Sequence, residues 1–383
     1  MKNSAKPKRK SIFAKNGFLG LMRFDYLGRA LFQIYGDSFW KSFAFSGLLA
    51  ILIFCLLGGY ISWRYHQLGY DVLSTFETKE RWITLAQVVI NPVLWAAYTW
   101  QIVSTPKIFA TMNNNSVVIG RRKAFEKFGS ILKHYYNQRW ILPFVLASTV
   151  TALLVWFETF SAPNSLAFFG HQYHWILINQ YYFLLLWIPY LFISVYMGCF
   201  LIVRMFLFAQ AVQKFFKLFT ISPIPFHPDG GNGLGSVGDY ALKITYLFII
   251  FALFIPFWIY FPATQGSEAR ITYDTVAMLI AYIVTVPAVF IPPVWAAHLA
   301  LKTHRDKELQ ATAKQIKIML RKQSQKTLDK HFRNYEIKEI GYQNWPFAFS
   351  RARILSLTAI LPLLPSLYQS LVDLLKQITN QVP

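Results

Sequence analysis

The sequence predicts an all-α, polytopic membrane protein of about six transmembrane helices, both termini cytoplasmic, with interfacial or re-entrant helices at the C-terminal end. Three observations carry this prediction. Apolar runs long enough for a bilayer core, which needs about 20 residues of helix, recur at Trp40–Ser62, Trp82–Ser104, Trp140–Phe160, Tyr182–Phe206, Leu242–Pro262 and Thr275–Ala300. The chain is 55% hydrophobic and only 14% charged, where soluble domains hold about 25% charged residues. Of its 38 Lys and Arg, only Arg64, Lys79, Arg81 and Arg270 fall in the gaps assigned to the outside. The rest occupy the alternate gaps or, as Lys41, Arg204 and Lys243 do, the span ends beside them, as the positive-inside rule requires.

Residues 1–38 form a basic cytoplasmic tail and an interfacial helix. The stretch 11–36 mixes Phe, Leu and Met with Lys15, Arg23 and Arg29, a composition suited to lying in the headgroup layer. The first long apolar run ends without a small-residue cleavage site and reads as an uncleaved span. Residues 39–300 form the six-span domain, with cytoplasmic loops at 105–139 and 207–241. Trp40, Trp140 and Trp295 mark its inner rim, as an aromatic belt does. In the first loop, Ala124, Phe125, Phe128, Ile131 and Leu132 have the spacing of a short amphipathic helix.

Residues 301–352 read as a cytoplasmic helical extension of the sixth span. Leu309, Ala313, Ile316 and Leu320 make a stripe that is too short to demand a coiled coil and suits an ordinary amphipathic helix. Residues 353–383 contain Pro362 and Pro365 inside an apolar run. Such prolines free backbone carbonyls that lipid cannot satisfy, so a re-entrant or interfacial segment is preferred to a seventh span. Cys55 and Cys199 fall in apolar runs at different depths, which disfavours a disulfide.

The most distinctive local sequence is ISPIPFHPDGGNGLGSVGDYALK, residues 221–243. It contains GxGxxG at Gly233, Gly235 and Gly238. A dinucleotide fold places that pattern between a strand and a helix. Here it follows a membrane helix, so a dinucleotide site is excluded. A glycine loop feeding a helix start still offers backbone N–H groups to an anion. The candidate ligand or gating loop is therefore His227, Asp229, Gly231, Gly233, Gly235, Gly238 and Asp239. The competing reading is a structural turn, with Asp229 closing onto following amides and Asp239 capping the fifth span.

A second constellation lies within the spans. Gln87, Asn91 and Gln101 on the second, Glu158 on the third and Arg204 on the fourth are candidates for a polar intramembrane strip, because ionisable and polar groups are costly there unless used. Interhelical hydrogen bonding is the alternative, and Glu158 and Arg204 sit near enough to span ends to snorkel. His171 and His174 form HxxH in an outer loop without a third ligand, so no metal site is expected. No catalytic motif and no cofactor site is expected either.

HPDGGNGLGSVG resembles the HPD-x-x-GGLG-type loop of a group of polytopic bacterial inner-membrane proteins without an assigned activity. IPPVWAAHLALKTHRDKEL, with Pro292, Pro293 and His298, and the closing Trp345–Phe347 are similar to that group too. The sequence departs from it at Asn232, where the group more often has a small residue. The resemblance implies topology and a bacterial cytoplasmic membrane, and adds nothing on chemistry.

The net charge of +21 has no nucleic-acid-binding motif beside it. A collar facing anionic phospholipid headgroups at the cytoplasmic face accounts for it, and a homo-oligomer is left open. Functionally, the sequence favours a small-solute or ion permeation protein, a transporter or channel. The alternatives are a membrane sensor or scaffold signalling through the helix after the sixth span, and an enzyme acting on lipid headgroups.

Overall fold

The structure, a computed structural model, describes residues 19–57, 59–60, 63, 67, 78–115, 117–119, 122–161, 183–252, 273–321, 325–342 and 345–346. The basic tail, His171, His174 and the segment 353–383 lie outside these described residues. The described chain is mostly helical. A short helix α1 (Tyr26–Tyr35) precedes α2 (Phe39–Ala50), which continues as a π-turn through Leu57. Then come α3 (Thr78–Asn114), α4 (Arg122–Tyr136) and α5 (Ile141–Ser161). They are followed by α6 (Ile188–Leu218), α7 (Gly235–Ala252), α8 (Tyr273–Arg321) and α9 (Gln325–Gly341).

Three stretches among the described residues are long and apolar enough to cross a membrane: Phe39–Leu57, Leu185–Leu218 and Ile283–Ile318. The second and third expected spans fall on helices α3 and α5, and the described part of the fifth, 242–252, falls on α7. Helix α6 is the centre of the bundle: 61% of its most apolar window is buried, against 22% in each of the other two. It packs against α3, α4, α5 and α8, while α2 lies along α3. Large side chains fill these contacts, among them Trp95, Tyr98, Phe109, Phe128, Phe208 and Phe215. Phe109, Phe128 and Phe215 meet within about 5 Å of one another, the spacing at which aromatic rings attract edge to face.

The helix expected in the first loop is α4, with Phe128 and Leu132 fully buried against the bundle. Two-residue strands, β1 (Val118–Ile119) and β2 (Thr220–Ile221), pair antiparallel, Val118 opposite Ile221. They tie the end of α3 to the start of the glycine loop. Helix α9 folds back on α8. Of the stripe expected on α8, Ile316 is buried and Leu309 half-buried, whereas Ala313 is exposed and Leu320 is 54% exposed; Leu301 and Thr312 are buried as well, the packing face of an ordinary helix.

Candidate functional site

The most demanding chemistry in the fold is a buried ion pair. Asp25 ends the segment before α1 and caps that helix, accepting the Gly28 N–H at 2.9 Å. A carboxylate at this position satisfies an orphan donor of the first turn. Its other oxygen accepts Arg204 Nη2 at 2.6 Å, although Arg204 is 179 residues away on α6. Tyr196 donates to Asp25 at 2.9 Å and Tyr98 donates to it as well. Both members of the pair are about 2% exposed. The Arg204 guanidinium also lies 4.8 Å from the ring centres of Tyr98 and Phe200, distances that allow cation–π attraction.

One carboxylate thus holds three helices together: α1 through its cap, α3 through Tyr98 and α6 through Tyr196 and Arg204. Gly28 is required for this approach. A Cβ there would run into the Tyr98 hydroxyl and lie 2.6 Å from Asp25 Oδ2. Asn137, just after α4, secures the same segment. Its side chain donates to the Gly20 carbonyl at 2.6 Å and accepts the Arg23 N–H at 2.9 Å.

The expected polar strip is divided by the fold. Arg204 does not snorkel; it turns inward because Asp25 supplies a buried counter-charge. Gln101 is fully buried and donates to Thr105 at 3.4 Å and Tyr136 at 3.3 Å. Tyr136 in turn reaches the Arg204 carbonyl at 3.4 Å, so Gln101 and Arg204 share a network. Asn91 is buried one helix face away, beside the Tyr190 hydroxyl, which also meets Ser46. Trp95 on the same face donates to Ser194 at 3.1 Å. Gln87 lies on α3 and Glu158 on α5, but their side chains are outside the described residues.

The glycine loop has its own closed chemistry. Asp229 Oδ1 accepts the Gly231 N–H at 2.9 Å and the Gly233 N–H at 3.0 Å, and Oδ2 accepts the Gly235 N–H at 2.9 Å. His227 Nδ1 sits 2.8 Å from the same carboxylate. Partial burial works against the charged form of Asp229. The amides of Gly233, Gly231 and Gly235, with His227, outweigh it and hold the carboxyl below its ordinary value. The concave array of N–H groups that could bind an external anion is occupied by this side chain.

Four backbone sites in the loop have positive φ: Phe226 at 56°, Gly230 at 65°, Asn232 at 54° and Gly233 at 90°. Asn tolerates this region better than other side chains do, which gives Asn232 a conformational reason. At Gly233 a Cβ would also strike Val117 beside β1. Helix α7 begins at Gly235, so Asp239 does not cap it. That expectation is corrected: the helix starts a turn earlier, and Asp229 satisfies its first amide. Gly238 is buried inside α7, where Asp239 is exposed.

The loop docks on the chain after α9. Phe226 N–H donates to the Gly341 carbonyl at 3.3 Å, and a Cβ on Gly231 would lie 2.6 Å from the Pro346 carbonyl. Next to Pro346, the Trp345 ring stacks on His298 of α8 at 4.2 Å. Segments separated in sequence, 226–235, 295–298, 341–342 and 345–346, therefore form one cluster.

Sequence reasoning missed Asp25, Tyr98, Tyr136 and Tyr196. One signal was available for Asp25: it is the lone acid in residues 1–36, placed just before an amphipathic run. Against known proteins, no family model, curated protein or solved structure matches this chain.

Proposed function

We propose that the protein is a six-span bacterial inner-membrane sensor or scaffold, with both termini cytoplasmic, that works through the hairpin of α8 and α9. The observation that carries this reading is the fate of the polar strip. Asn91, Gln101 and Arg204 are buried and engaged with groups on neighbouring helices. Polar side chains used this way fasten helices together and are not held ready for a passing solute. This supports the sensor or scaffold over the transporter or channel that the sequence favoured. The self-occupied glycine loop likewise supports a structural role for Asp229 over a headgroup-processing site.

The hairpin is the outward feature that such a protein needs. Helix α8 runs 49 residues, far beyond the apolar part, and α9 returns along it. Phe332, Ile337 and Ile340 on α9 are 46%, 54% and 76% exposed. The experiment is thiol accessibility in native membranes. In a background with Cys55 and Cys199 replaced by Ser, Asn91→Cys and Gln101→Cys are treated with a small charged thiol reagent. Both are expected to stay unlabelled while Lys317→Cys on α8 reacts. Labelling of both buried sites at the rate of Lys317→Cys would revive permeation.

A further inference from the structure

From the cleft between the end of α6 and the middle of α8, we infer a specific binding site for one anionic phospholipid. The cleft encloses about 560 Å³, within the roughly 300–1,000 Å³ usual for small-molecule sites. Its α8 wall follows one helix face and changes character along it. Trp295 and Leu299 come first, then Thr303 and Lys307, each four residues after the last, the spacing that brings side chains of successive turns together. The α6 side contributes Phe216 and Lys217. Among the described residues that line the cleft there is no carboxylate.

This gradient matches an amphiphile with a negative head. The apolar part is open to its surroundings: Trp295 is 50% and Leu299 46% exposed. Both lie on the part of α8 that precedes its first lysine, Lys302, so in this placement they meet the acyl side of the boundary. Trp at such a boundary is an interfacial anchor. The two lysines sit where the apolar surface stops, at the level of headgroup phosphates. A diffuse basic collar attracts anionic lipid without choosing a position. Here the two cations line the same recess as an acyl-compatible wall, which fixes one lipid. The phosphate rests between the lysines and the upper chains lie along Trp295, Leu299 and Phe216. The site requires only that this end of the bundle meets the bilayer surface, and it is independent of what the α8–α9 hairpin binds.

The test is native mass spectrometry of the full chain released from mixed micelles containing equal phosphatidylglycerol and phosphatidylcholine. The wild type is expected to retain one phosphatidylglycerol in preference to phosphatidylcholine by roughly 30-fold, the factor two surface lysines supply. Lys217→Gln with Lys307→Gln should abolish that preference. Lys314→Gln with Lys317→Gln, which removes two exposed lysines of α8 that do not line the cleft, should leave it intact. Ala296→Trp, which narrows the cleft without changing charge, should also expel the lipid. Equal retention of the two lipids by the wild type would overturn the site. So would equal losses in both double-lysine variants, which would assign the effect to the collar. Displacement of the lipid by millimolar inorganic phosphate would instead make the ligand a free anion and overturn the lipid assignment.

Discussion

Asp25 and Asp229 are both carboxylates that hold a helix start, and they do it in opposite ways. Asp229 is satisfied from within six residues of itself, by backbone N–H groups of its own loop. Asp25 takes one local amide and then depends on Arg204, Tyr98 and Tyr196 from two distant helices. The first is a local turn that any bundle could carry. The second is a condition on the whole tertiary fold, since its charge is buried and only the assembled bundle neutralises it. The fold therefore concentrates its long-range risk at α1 and its local order at α7.

The largest expected effect follows from that difference. Breaking a buried pair by removing one partner strands the other charge and costs about 3–5 kcal/mol. Asp25→Ala and Arg204→Met should each lose about that much stability in thermal or denaturant unfolding of the detergent-solubilised protein. Asp25→Leu combined with Arg204→Met should recover a large part of it, because replacing a whole buried pair by apolar groups is often neutral. A double variant that loses the sum of the two single losses would mean that the pair carries no coupling, and the contrast with Asp229 would collapse.

The local carboxylate should matter less. Asp229→Ala leaves three loop amides without their acceptor, at about 1–3 kcal/mol, read as faster proteolytic cleavage within residues 226–235 with the spans still inserted. Gly233→Val should have a similar local effect, since the position combines φ of 90° with the Val117 contact. The pH dependence has a definite sign. The folded pKa of Asp229 lies below the ordinary 3.8. Its contribution is thus present above the unfolded pKa and disappears as pH falls through the folded one. Protease resistance of the loop should drop as the solution is acidified from about pH 5, and Asp229→Asn should flatten that limb. A wild-type loop indifferent to acid would remove the carboxylate from the account.

How much of this is legible in the sequence follows the same division. The glycine loop could be read because its partners are sequence neighbours: His-Pro-Asp followed by glycines is a turn by local sterics alone. The helices over 122–136 and 141–161 were legible because apolar spacing reports burial within one element. The partner of Arg204 was not. Its position on an apolar helix announced a cost, but which acid met that cost depended on α1 folding back under α3 and α6. No periodicity within residues 11–36 encodes that placement. Asp239 was misassigned for a related reason: the helix start is set by where Asp229 reaches, not by the nearest acid to the apolar run.

The smallest expected effect tests whether the uncharged network belongs with Asp25 or with Asp229. Gln101 and Tyr136 meet at 3.3 Å, and Tyr136 meets the Arg204 carbonyl at 3.4 Å, all near the long end of useful hydrogen bonds. Tyr136→Phe should therefore cost only about 0.5–1.5 kcal/mol. Gln101→Leu should cost no more, because Thr105 still donates to the Gln101 carbonyl at 2.9 Å whatever the side chain. Combined with Arg204→Met, Tyr136→Phe should be close to additive, since it touches only the Arg204 backbone. Strong non-additivity would show that the tyrosine positions the guanidinium as well, and would extend the Asp25 centre across α4. Independent losses would confine that centre to α1, α3 and α6 and leave Gln101 as a fastening between α3 and α4.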